Sequence, residues 1–80
     1  MPKIYVSMDD GTGKEYDIIL TFKSETLGKN YVVYTDNQYD ERGKLKVFAG
    51  TYDPVTNRYI ESVKTSEEWI EIQKVLDKVI

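Results

Sequence analysis

The chain has 80 residues, 40% hydrophobic and 31% charged, and its 11 Lys+Arg set against 14 Asp+Glu leave a net charge of −3; this is the balance of a single small domain spanning 1–80. It contains no histidine and no cysteine, which excludes a neutral-pH imidazole base, a thiolate nucleophile, zinc sites of Cys and His ligands, and any disulfide framework. The mild acidity disfavours non-specific attraction to phosphate backbones, which needs clustered Lys and Arg.

In chain order, Ile4, Val6 and Met8 alternate with Tyr5 and Ser7 at the period of a strand, and Asp9-Asp10-Gly11-Thr12-Gly13 supplies the turn after it. From Tyr16 to Phe22 the even positions Tyr16, Ile18, Leu20 and Phe22 form one apolar face, opposite a mixed face of Asp17, Ile19, Thr21 and Lys23. Lys23–Asn30 is polar and holds Gly28, which predicts a loop with one helical turn over Ser24–Leu27. Tyr31–Thr35, rich in β-branched and aromatic residues, predicts a third strand, and the charged run Asp36–Gly43 a hairpin connection. Lys44–Tyr52 is the fourth strand, with Leu45, Val47 and Ala49 on one face and Phe48 and Tyr52 on the other. Asp53-Pro54-Val55-Thr56-Asn57 turns the chain into a fifth strand over Arg58–Val63.

Thr65-Ser66-Glu67-Glu68 then fits a capping box, in which the Thr65 hydroxyl accepts from the Glu68 amide and the Glu68 carboxylate reaches back to the Thr65 amide. Trp69, Ile72, Leu76, Val79 and Ile80 follow at helical spacing as one apolar stripe. Glu67, Glu68 and Glu71 near the helix start, with Lys74 and Lys78 near its end, suit the macrodipole. So short a helix is unstable alone in water and must lie on the sheet, with Trp69 as its expected anchor. The fold class expected is therefore α+β: an antiparallel β-meander of about five strands covered on one face by a C-terminal amphipathic helix. No basic leader with an apolar segment precedes the first strand. The longest apolar run, Tyr31–Tyr34, is far short of the roughly 20 residues of a membrane-spanning helix, so the expected compartment is the cytoplasm.

The run Ile19-Leu20-Thr21-Phe22-Lys23-Ser24-Glu25, followed by Leu27-Gly28-Lys29-Asn30-Tyr31-Val32-Val33-Tyr34, resembles the central segment of the YrzB-like family of small Bacillota proteins, a domain of unknown function. Met8-Asp9-Asp10-Gly11 ahead of it, and Glu67-Glu68-Trp69 with Val75-Leu76 behind it, fall in the same order as in that family. The similarity covers nearly the whole chain. The segment Asp36–Lys44 departs from the pattern, being shorter and less acidic than in many relatives. The resemblance implies a bacterial, cytosolic protein and brings no activity, cofactor or catalytic residue with it.

The residues themselves offer few chemical constellations. Gly11-Thr12-Gly13-Lys14 lacks the spacing of a phosphate loop: Met8 stands where its first glycine would be, and Glu15 where the magnesium-binding Ser or Thr would follow the lysine. The clusters Asp9, Asp10, Glu15 and Asp36, Asp40, Glu41 lack the alternation and the glycine of a calcium loop, and read as solvated turn carboxylates. Ser7, Ser24, Ser62 and Ser66 have no histidine to activate them, and Lys23 and Lys29 stand at no spacing that pairs either with Ser24. No enzyme activity and no cofactor or metal is expected.

Tyrosine is the unusual enrichment, at 7 residues. If Ile18, Leu20 and Phe22 pack under the helix, Ile19 points to the other face, which also presents either Val33 or Val32 with Tyr34, and either Val47 or Phe48. One helix covers one face, so a Tyr-rich apolar band is expected to stay exposed. Ile19, Tyr34, Phe48 and Tyr52 are its candidate residues for contact with an unidentified protein partner or a second copy. The alternative is a protein directed at nucleic acid. It would either bind single strands by tyrosine stacking beside Arg42, Lys44 and Lys46, or act as an acidic mimic.

Overall fold

A computed structural model describes residues 2–7 and 10–79. Met8 and Asp9, assigned above to the first strand and its turn, and Ile80, assigned to the helix stripe, lie outside the described residues. The strands are β1 (Lys3–Ser7), β2 (Gly13–Ser24), β3 (Lys29–Thr35), β4 (Phe48–Asp53) and β5 (Arg58–Ser62), followed by helix α1 (Ser66–Val79). All neighbouring pairs are antiparallel and the sheet order is the chain order, a meander with one C-terminal helix. The expected α+β class is the observed one.

The sheet does not lie flat under the helix. It coils until its two edge strands, β1 and β5, touch, so that one face becomes a concave interior and the other carries α1. Strict alternation sorts most side chains between the two. Along β3, Val32 and Tyr34 enter the concave cluster with Ile4, Val6 and Ile18, whereas Tyr31 and Val33 join Ala49, Ile72 and Leu76 under the helix.

The even face expected for β2 is broken by a bulge. Ile18 pairs with Tyr34 and Leu20 with the next residue, Val33, which leaves Ile19 as the extra residue. An inserted residue flips every later side chain to the opposite face. Tyr16 and Ile18 therefore point into the concave interior, whereas Leu20 and Phe22 pack on the helix side, as does Ile19 itself. A second bulge lies in β5, where Thr51 pairs with Glu61 but Tyr52 pairs with Tyr59, leaving Ile60 unmatched. Bulges sharpen local twist, and twist of this kind is what brings two sheet edges together.

Two further expectations are corrected. The fourth strand starts at Phe48 rather than Lys44, because 36–47 folds on itself as a small side hairpin. The Asp40 amide donates to the Lys44 carbonyl (2.8 Å), the Lys46 amide to the Gln38 carbonyl (2.9 Å), and Asp40 Oδ1 accepts from the amides of Arg42 and Lys44 at 2.8 and 2.9 Å. Trp69 is not the helix anchor: it is 38% exposed, and the residues that α1 buries are Glu68, Ile72 and Leu76. That row at i, i+4 and i+8 is turned inward because Glu68 is fastened at both ends of its carboxylate. The Thr65 hydroxyl accepts from the Glu68 amide (3.2 Å) and donates to Oε1 (2.9 Å), while the Tyr31 hydroxyl donates to Oε2 (2.7 Å). The N-cap half of the expected capping box is thus present, while the Glu68 carboxylate accepts from the Thr65 hydroxyl rather than from the Thr65 amide.

Candidate functional site

Coiling of the sheet changes what the candidate surface can be. Tyr34, expected on an exposed band, is only 5% exposed, and Phe48 and Tyr52 are half-buried against the same concave cluster. Ile19 sits on the opposite side, packed toward α1. The four residues therefore do not form one surface: closure of β1 on β5 takes the tyrosine-rich face inside, and the bulge at Ile19 moves that residue off it. They belong instead to separate features, described in turn.

The first is a groove of about 520 Å³ between α1 and the side hairpin, lined by Ile19, Lys44, Leu45, Val47, Gln73, Leu76 and Asp77. Ile19 and Val47 enter it as the fringe of the helix-side core, and Leu45, 37% exposed, stands at its rim. Lys44 and Asp77 place one charge of each sign along it, Asp77 accepting from Gln73 Nε2 at 2.9 Å. Trp69, 38% exposed, lies one turn before Gln73 on the same flank of the helix and outside the groove's lining.

The second is a hollow of about 290 Å³ opening from the concave interior, to which all five strands contribute: Val6, Ser7, Tyr16, Tyr34, Phe48, Tyr59 and Ser62. Its wall is an aromatic cluster. Tyr34 and Phe48 stack at 5.7 Å with their planes 27° apart, and Tyr16 meets both edge-on, at 5.0 and 5.9 Å. Tyr59 stands perpendicular to Tyr34 at 5.7 Å. The Tyr34 hydroxyl donates to that of Tyr59 (3.1 Å), which in turn shares a hydrogen bond with Ser62 Oγ (2.8 Å). Burial, then the bond to Tyr59, pushes the Tyr34 hydroxyl far above the ordinary tyrosine range. Gly50 makes room for this arrangement, since a Cβ there would run into the Tyr59 ring.

Tyr52 touches the concave cluster and also lines a separate cavity of about 310 Å³ with Lys29, Asn30, Thr51, Ile60 and Glu61. The turn carboxylates hold their own backbones. Asp10 accepts from the Thr12 amide and hydroxyl at 3.0 and 2.6 Å, and Asp36 from the Gln38 amide at 3.0 Å. Among the described residues no three acidic side chains converge as a metal site. Of the tyrosines, Tyr5 in β1 and Tyr39 in the side hairpin are the exposed ones, and Asp40 and Glu41 partly offset Arg42, Lys44 and Lys46 in the hairpin that carries Tyr39.

Several residues that build these features carried no sequence signal. Tyr59 and Ser62 are three apart and would face opposite ways on a regular strand; only the extra residue at Ile60 brings their hydroxyls together. Leu45 and Val47 read as strand residues, and the turn chemistry of Asp40 and Gly43, the latter at φ 78°, was the available sign that they would leave it.

Comparison with known sequences places this architecture. The chain is 28% identical over 76 residues to a UPF0473 protein of Listeria monocytogenes, covering 91% of this chain and 76% of that one. It is 26% identical over 72 residues to UPF0473 protein YrzB of Bacillus subtilis (86% and 77%), and 30% identical over 74 residues to a UPF0473 protein of Lactobacillus gasseri (86% and 71%). No solved structure matches the chain. The family profile described as protein of unknown function (DUF1292) matches residues 9–80, and the chain belongs to that family.

Proposed function

We propose that this chain is a non-enzymatic, cytoplasmic protein-binding module that takes an apolar segment of a protein partner into the groove beside α1. The observation that carries this reading is the groove itself: about 520 Å³, walled by Ile19, Leu45, Val47 and Leu76, with Leu45 exposed at its rim and single charges of opposite sign at Lys44 and Asp77. Apolar concavities with a polar rim are where partner anchors dock. The titrating groups whose surroundings move them are moved away from neutrality, Tyr31 and Tyr34 upward and Glu68 downward, whereas general acid–base work needs a pKa near the working pH. The absence of cysteine suits a reducing compartment.

The test uses Leu45→Glu, which adds a charge at the groove without touching a strand. Immobilised wild-type chain is expected to retain one or a few proteins from cell extract that the variant loses, with the two chains unfolding at the same urea concentration. Retention of the same proteins by both would overturn the groove as the contact surface.

A further inference from the structure

The hollow is independent of the groove and has a different chemistry. We propose that it is a binding site for a small, neutral, planar ring bearing a hydrogen-bond acceptor, of the nucleobase or nicotinamide kind. Three observations define that ligand class. First, the near-parallel Tyr34 and Phe48 rings, with Tyr16 edge-on to both, form an aromatic wall of a hollow of about 290 Å³. That is close to the lower bound of roughly 300 Å³ for small-molecule pockets, so it fits one ring or two fused rings rather than a long chain. Flat rings gain most against such walls.

Second, none of the described residues lining the hollow is charged. An ionic ligand would lose its hydration there without a counter-charge, which is costly. Lys14 Nζ, outside the lining, sits over the Tyr16 ring, 5.4 Å from its centroid.

Third, the hydroxyl relay keeps one hydrogen that its own bonds do not use. Tyr34, Tyr59 and Ser62 bring three hydroxyl hydrogens, and the two bonds among them use two. If Tyr59 donates to Ser62 the remaining hydrogen is on the exposed Ser62, and if Ser62 donates it is on Tyr59; both residues line the hollow. Among the described residues no side chain accepts it, and a ring nitrogen or carbonyl oxygen would.

The experiment is a backbone-amide NMR titration of the full chain with nicotinamide, and in parallel with cyclohexanecarboxamide, which keeps the acceptor and lacks the flat ring. Saturable shifts are expected at Ser7, Tyr16, Tyr34, Phe48, Tyr59 and Ser62 with nicotinamide, at a dissociation constant on the order of 1 mM for a ligand of this size. Cyclohexanecarboxamide is expected to bind at least about tenfold more weakly. The double variant Tyr59→Phe/Ser62→Ala keeps the rings and removes the free donor whichever of the two hydroxyls carries it, and should weaken nicotinamide about tenfold, the usual consequence of losing one good hydrogen bond. Equal binding of the two amides, undiminished binding by a folded double variant, or shifts confined to Leu45 and Leu76 would each overturn the assignment. The last outcome would leave the groove as the occupied site.

Discussion

Replacing Tyr31 by phenylalanine removes one oxygen from the centre of the molecule and leaves the ring where it is. That ring is fully buried and stacks on Phe22 at 5.4 Å with an interplanar angle of 27°, so packing survives the change. What is lost is the 2.7 Å hydrogen bond to Glu68 Oε2, which ties the first turn of α1 to the middle of the sheet. A hydrogen bond to a charged acceptor contributes about 1.5–3 kcal/mol. The contacts left to Glu68 are the Thr65 hydroxyl at 2.9 Å and Lys29 Nζ at 3.8 Å. The lysine is half-exposed, and such a pair offsets less than about 1 kcal/mol of the loss. Tyr31→Phe should therefore cost about 2 kcal/mol at pH 7, a fall of roughly 1–2 M in urea midpoint at an m value of about 1–2 kcal/mol/M.

The pH dependence distinguishes this bond from generic packing. The Tyr31 hydroxyl foremost, then that of Thr65, holds the Glu68 carboxyl below its ordinary value against the opposing effect of burial. A carboxyl lowered on folding stabilises the native state above its unfolded pKa, and that contribution is lost as pH falls through the folded value. Tyr31 moves the other way: burial first, and the bond to Glu68 second, push it from 10.0 up to about 12. Its contribution is complete below about pH 10 and is lost as pH rises toward 12. The gap between wild type and Tyr31→Phe should be widest on the plateau between these limbs and narrow at both ends. Urea unfolding from pH 3 to 11 measures it. A gap under about 0.5 kcal/mol at pH 7, or one constant across the range, would refute the buried charge-assisted bond.

Gly50→Ala should cost about 1–3 kcal/mol, the usual range for overpacking, because its methyl would meet the Tyr59 ring and lie 2.7 Å from the Glu61 carbonyl oxygen; calorimetry measures the loss. Ile72→Ala, at a fully buried position, should cost about 2–5 kcal/mol, whereas Trp69→Ala, at a 38% exposed one, should cost about 1 kcal/mol. Denaturant midpoints that reverse this order would restore Trp69 as the anchor of the helix. Asn57 occupies the left-handed region at φ 59°, so Asn57→Ala should destabilise by about 1 kcal/mol and Asn57→Gly should not; equal urea midpoints for the two variants would contradict that backbone assignment.

Much of the fold was legible because periodicity and turn chemistry agree over long stretches. Tyr31–Thr35 reads as a strand whichever face each residue takes, and Asp53–Asn57 carries its own turn signals, realised in the bonds from the Asn57 amide to the Asp53 carbonyl (2.7 Å) and from the Val55 amide to Asp53 Oδ1 (2.9 Å). Capping at Thr65 was equally plain. Which side of the helix faces inward was not, because Trp69 outweighs Glu68 on any hydrophobic count, and a buried carboxylate is favoured only once Tyr31 is known to stand opposite it.

The sites were illegible because of the side hairpin at 36–47, which carries Leu45 and Val47 to the groove, and because of two bulges. Period-two reading assumes that every strand residue has a partner, and both candidate features take in residues set by one that does not. The unmatched Ile19 separates Ile18, which stays with Tyr34 in the concave interior, from Leu20 and Phe22 under the helix, and it is itself left at the edge of the groove. The unmatched Ile60 sets Tyr59 and Ser62 on one face and so assembles the outer end of the hydroxyl relay. Each insertion also adds twist, and a sheet twisted enough for β1 to reach β5 takes Tyr16, Tyr34 and Tyr59 into its interior instead of leaving them on an open face. A tyrosine-rich sheet with one covering helix therefore need not seek a partner for its second face. Here the partner of that face is the sheet itself, and the groove borders one bulge while the hollow lies beside the other.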